Sequence, residues 1–122
     1  MDICFEGIGQ TVATFATKDA LTPGMAVTMT GSGEVGLNKE EGGGPLCGVT
    51  VGAERNGAVA VQIGGVVKVG CSGGSAPEAG CAMLACDGEG KVTADGKSGV
   101  NCLVLAVDEG EDEDGKTAVI KL

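Results

Sequence analysis

The chain contains no histidine, tryptophan or tyrosine and only two phenylalanines, Phe5 and Phe15. Without histidine the commonest general base is missing, and so is any Cys–His nucleophile pair. Without aromatic rings a pocket has nothing to stack on a base or a planar cofactor. Basic residues are scarce as well, 8 against 17 acids, for a net charge of −9. A net anion repels a nucleic-acid backbone and an anionic membrane surface, so neither is an expected partner. The longest apolar run, Cys102 to Val107, has six residues, far below the ~20 that span a bilayer as a helix. Met1 to Gln10 carries Asp2 and Glu6 and no basic stretch ahead of an apolar core. No secretory leader is therefore expected, and the cytoplasm is the default location.

What the chain does hold is glycine, 24 in 122 residues, with Val, Ala, Leu, Ile, Met and Cys as its apolar content. The length fits one domain. The glycines fall between valine-rich runs, so they read as turns. Met25, Val27 and Met29 alternate with small or polar neighbours, as do Cys47, Val49 and Val51, then Val59, Val61 and Ile63, then Ala118, Ile120 and Leu122. Period-two alternation marks half-buried strands. Leu103 to Val107 is apolar on both faces and reads as a central strand. Turn signals separate these runs: Thr30-Gly31-Ser32-Gly33, Arg55-Asn56-Gly57, Asp87-Gly88-Glu89-Gly90, Asp95-Gly96 and Asp114-Gly115. They supply residues that tolerate positive φ. A short helical turn is conceivable only near Ala76-Pro77-Glu78.

The blocks recur in order. Gly24-Met25-Ala26-Val27 is echoed by Gly80-Cys81-Ala82-Met83, Glu34-Val35 by Lys91-Val92, Leu46-Cys47 by Asn101-Cys102, and Asn56-Gly57 by Asp114-Gly115. The expected fold is all-β: a small glycine-rich barrel or sandwich built from two similar four-strand units, about 21–66 and 77–122. Residues 19–122 would form a single β domain, with 1–18 as an N-terminal arm or edge strand. Asn38 to Pro45, rich in glycine and charge, reads as an exposed, mobile loop.

Each candidate for chemistry has a plainer reading. The six cysteines, Cys4, Cys47, Cys71, Cys81, Cys86 and Cys102, include no C-x-x-C. Cys47, Cys81 and Cys102 sit inside alternating runs, where a reduced thiol packs as a small apolar group. Mostly buried free thiols are expected, and neither zinc nor another metal. Asp108 to Asp114 carries six acids in seven positions. It lacks the acid, glycine and glutamate spacing of a calcium loop and reads as a solvated hairpin tip. Ser32, Ser72, Ser75 and Ser98 lie in glycine-rich turns outside any G-x-S-x-G elbow. Cys71-Ser72-Gly73-Gly74-Ser75 lacks the lysine of a phosphate loop and reads as a connector. No catalytic residue and no cofactor are expected, and the chain is read as no enzyme.

The ordered blocks resemble the small capsid decoration, or cement, proteins of tailed bacteriophages. The resemblance covers about Asp19 to Leu122. It runs through Leu21-Thr22-Pro23-Gly24-Met25-Ala26-Val27, Leu46-Cys47-Gly48-Val49, Gly57-Ala58-Val59-Ala60-Val61-Gln62-Ile63-Gly64-Gly65-Val66, Ala79-Gly80-Cys81-Ala82-Met83-Leu84, Gly90-Lys91-Val92-Thr93 and Gly115 to Leu122. It implies a homotrimeric structural protein that bridges neighbouring capsomers, with the major capsid protein as partner. The implied location is the virion surface, and the host cytoplasm during assembly. The six cysteines and the acidic tip depart from that pattern. Phe5, Ile8 and Phe15 of the arm are the candidate partner contacts, because buried aromatic and aliphatic anchors dominate binding energy; the equal alternative is an extra strand or edge cover with Phe15 in the core. Two other readings compete. One is a biotinyl- or lipoyl-like carrier module, although the turn Cys86 to Val92 lacks the Met-Lys-Met or Asp-Lys-Ala setting of a modified lysine. The other is a disulfide-stapled extracellular adhesion domain.

Overall fold

The structure, a computed structural model, describes residues 9–71, 77–94, 99–108 and 116–122. It is all-β apart from one 3₁₀ turn at Lys39–Glu41. The strands are β1 (Thr11–Ala16), β2 (Ala26–Gly31), β3 (Glu34–Gly36), β4 (Gly44–Pro45), β5 (Gly48–Thr50), β6 (Ala58–Gly64), β7 (Val66–Gly70), β8 (Gly80–Cys86), β9 (Val92–Thr93), β10 (Val100–Asp108) and β11 (Thr117–Lys121). The alternating runs thus fold as small β elements, with Val27, Val59 and Val61 facing into the first barrel. The turn Asn56-Gly57 takes positive φ at both residues, 52° and 79°, which bends β6 back from the preceding segment.

Two sheets share one connection plan. The first closes into a barrel in the order β1-β3-β2-β5-β6, with β6 returning to β1. Its one parallel contact joins Ala16 to Glu34, between β1 and β3. The second sheet runs β4-β8-β10-β11-β7, with β9 on β8. A parallel bridge from Cys71, just past β7, to Val92 of β9 completes the same circuit. Strands β7, β8, β9, β10 and β11 therefore repeat β1, β2, β3, β5 and β6. Each unit has a fifth strand beyond the four read from the sequence, β1 in one and β7 in the other. The repeat starts at Thr11, inside the segment read as an arm or edge strand.

The register defines an outward row in each unit. Ala26 pairs with Val49, Val49 with Gln62, and Gln62 with Val12. In the second unit Cys81 pairs with Leu103, Leu103 with Lys121, and Lys121 with Val66. These two rows occupy the outward side of their sheets, yet they meet different surroundings. Ala26, Val49 and Gln62 are 0, 1 and 3 % exposed, whereas Leu103 is 41 % exposed. The reason is a shared core. Ala26, Leu46 and Val49 pack with Leu84, Val92, Val104 and Ile120 in one cluster. The outer wall of the first barrel thus fills the hollow of the second sheet. A separate cluster inside the first barrel holds Leu21, Val27, Val35, Leu37, Val59 and Val61, with Phe15 packed against it.

The segment read as a mobile loop differs from that expectation. It contains the 3₁₀ turn, and Gly44 and Pro45 pair with Cys86 and Ala85 of β8. The Asn38 side-chain amide donates to the Gly43 carbonyl at 2.9 Å. This loop ties one unit to the other, and such a tertiary contact leaves no local pattern. Pro77 and Glu78 adopt no helical turn.

Candidate functional site

Three features can be weighed as sites. The first is an open cleft of about 510 Å³ lined by Lys18, Asp19, Glu34, Asn38, Lys39 and Glu40. Two of its three carboxylates already have structural work. Asp19 Oδ2 accepts from the Leu37 N–H at 2.9 Å, which anchors the end of β3. Glu34 Oε1 accepts from the Thr30 hydroxyl at 2.9 Å across the β2–β3 turn. The cleft therefore offers two lysines beside acids engaged in the fold, with no imidazole to move a proton.

The second feature is the thiols. Cys47, Cys71, Cys81, Cys86 and Cys102 are free, with Cys71, Cys86 and Cys102 buried, Cys47 half-buried and Cys81 exposed. Burial pushes the Cys47 and Cys102 thiols up. Burial also raises Cys71, against the opposing pull of Lys116 and Lys91. Cys86 is pushed up to about 12, chiefly by burial, with Asp87 adding to it. A thiol held neutral in an apolar core is a poor nucleophile and a poor metal ligand. Cys81 departs from the sequence expectation of burial, because its side of β8 is the uncovered one. Among the described residues no group of three or more His, Cys, Asp or Glu side chains is placed to hold a metal ion.

The third feature is apolar surface. A shallow groove of about 380 Å³ runs past Thr28, Met29, Pro45, Leu46 and Cys47. On the outer face of the second sheet, Met83 and Leu103 stand exposed on adjacent strands, with exposed Cys81 directly across from Leu103. Alternation in the sequence applied to Cys81, whereas Leu103 opened a run apolar on both faces. Neither pattern carried a sign of which side would be left open.

Of the three contact residues read from the sequence, Phe5 and Ile8 lie outside the described residues. Phe15 is half-buried in β1 against the first-barrel core. Within Asp108 to Asp114, only Asp108 is described, at the end of β10. The connector reading of Cys71 to Ser75 can be placed only at Cys71, which is buried and bridged to Val92. Among the described residues no helix is long and apolar enough to cross a membrane. No family model, curated protein or solved structure matches the chain.

Proposed function

We propose that this chain is a non-enzymatic structural protein that decorates a phage or prophage capsid and stabilises it by bridging capsomers. Its partner in this reading is the major capsid protein, and its working form is a homotrimer on the virion surface. The observation that carries the reading is the set of large apolar side chains left open on and beside the strands. Val12, Met29, Val51, Ile63, Met83, Val100 and Leu103 are all exposed. Open aliphatic surface on a small β body suits contact with another protein. The ordered glycine-and-valine blocks from Leu21 to Leu122 support the capsid as the particular partner, through their resemblance to decoration proteins. Lattice geometry supports it energetically, since many identical weak contacts combine through multivalency.

Co-sedimentation tests this. Assembled shells from the cells that encode the chain are stripped, mixed with purified protein and pelleted. Saturable binding at a fixed number of copies per shell is expected. Absence of the chain from the pellet at every concentration refutes the capsid reading.

A further inference from the structure

The two units treat one face in opposite ways. In the first, Ala26 and Val49 of the outward row pack into the core shared with the second sheet, and Gln62 and Thr28 beside them are 3 and 4 % exposed. In the second, the outward row Cys81–Leu103–Lys121 is open, and Met83 beside it on β8 is 42 % exposed. The fold has thus buried a face once and left its counterpart uncovered.

We propose that the outer face of β8, β10 and β11 is a docking surface for a protein partner that presents aliphatic side chains flanked by carboxylates. Its centre is Met83 and Leu103, with Cys81 across from Leu103 and half-buried Val119 on the next strand but one from β8. Its cations are Lys121, paired with Leu103, and Lys68, paired with Val119. Neither lysine has an ion-pair partner among the described residues. Asp108, at the C-terminal end of β10, pairs with Thr117 two residues along from the Val119–Lys68 row, and exposed Glu78 precedes β8. In a chain with 17 acids and 8 bases, Lys68 and Lys121 put two cations beside the apolar centre of this face. Such a patch steers an acidic surface toward it and repels a basic one. An apolar centre with a charged rim is the ordinary anatomy of a protein contact. The open strand face suits a second sheet laid face to face at about 10 Å. A second copy of this chain fits less well, because it brings the same lysines to the contact and a net charge of −9 on each body.

This inference rests on the protein-binding reading above, and its test separates the two. The probe is a head-to-tail cyclised β-hairpin that carries a leucine between two glutamates on one face. A control hairpin has lysines in place of the glutamates. Each is titrated to millimolar concentration into the isotope-labelled full chain, followed by amide NMR. Shifts from the acidic hairpin are expected at Cys81 to Met83, Asn101 to Leu103 and Val119 to Lys121. Leu103→Glu should weaken the binding ~10-fold or more, as expected for the centre of a contact. Added salt should also weaken it. The double change Lys68→Glu, Lys121→Glu should switch the preference to the lysine hairpin. Leu103→Ser serves as a second variant should the glutamate disturb folding, with circular dichroism as the check. Shifts on another face, no shifts at all, or equal response to both hairpins overturn the proposal. Concentration-dependent broadening of this face without any probe also overturns it, in favour of self-association. Where the hairpin maps to this face but stripped shells do not bind the chain, the docking surface stands and the capsid reading alone fails. Where shells bind wild type and Leu103→Glu alike, the capsid reading stands and this face is not the contact.

Discussion

The side-chain amide of Gln62 donates to the carbonyl of Val66 at 3.2 Å, across the junction where the first repeat ends and the second begins. The same amide donates to the Gly64 carbonyl at 3.0 Å, and its own oxygen accepts from the Gln10 amide at 3.5 Å. A buried polar side chain is thereby satisfied at the hinge of the duplication. Gln62→Leu leaves these carbonyls without that partner in a low-dielectric setting, at a cost of about 1–3 kcal/mol. Urea unfolding checks this, with a lowered midpoint expected and a single transition retained. An unchanged midpoint would remove Gln62 from the account of how the units are joined.

Thr50 does a similar job inside the first unit. Its buried hydroxyl donates to the Thr22 carbonyl at 2.6 Å and accepts from the Met25 N–H at 2.9 Å. This pins the entry of β2 to β5. Thr50→Val keeps the shape and orphans both backbone groups, so a loss of about 1–3 kcal/mol is expected. Thr50→Ser keeps the hydroxyl and should lose less, chiefly the packing of one methyl group. Equal losses in the two variants would show that packing, not the hydrogen bonds, matters there.

The close approach of Gly43 to β8 welds the second sheet to the first. Gly43 has φ of 99°, and a methyl group there would overlap the carbonyl of Cys86 and crowd the Gly88 N–H. Gly43→Ala should therefore cost about 2 kcal/mol or more, from backbone strain and steric conflict together. Faster amide exchange at Cys86 is the specific sign, because the β4–β8 pairing is what loosens. Gly52 has open space where a side chain would go, so Gly52→Ala is the matched control.

The thiols give a reactivity order and a pH dependence. Among the five described cysteines, exposed Cys81 should alkylate first in the native state and Cys86 last, only as the chain opens. Cys86 has its folded pKa raised from 9.0 to about 12. A raised thiol pKa means that the unfolded chain gives up its proton first. The stabilisation is complete below pH 9 and is lost progressively as pH rises from 9 toward 12. In Cys86→Ala the unfolding free energy should fall less steeply over that window, by up to one proton's slope. Parallel slopes for wild type and variant would contradict the assignment.

Much of this arrangement was legible in the residues, and the rest was hidden for definable reasons. Val59 and Val61 alternate with Ala60 and Gln62, and they form β6 with the valines inward. Asn56-Gly57 takes the positive φ that its composition allows. The strand order of the first unit recurs in the second. Hidden were the contacts between units. Gly44 and Pro45 pair with β8 although their own sequence reads as loop, because a two-residue pairing has no period to detect. Cys81 and Val49 lie on equivalent outward rows and look alike by alternation. Only the seating of the first barrel in the hollow of the second sheet buries one and exposes the other. Phe15 shows the same limit, since an aromatic near the start of the chain reads equally as contact anchor or core.

Shell stability tests the central functional claim most directly. Stripped capsids are heated with increasing amounts of the chain, and their disruption temperature is followed by calorimetry. A ligand that binds only the intact shell raises that temperature until its sites fill, so a saturating upward shift is expected. A disruption temperature that stays the same at every chain concentration would contradict the account.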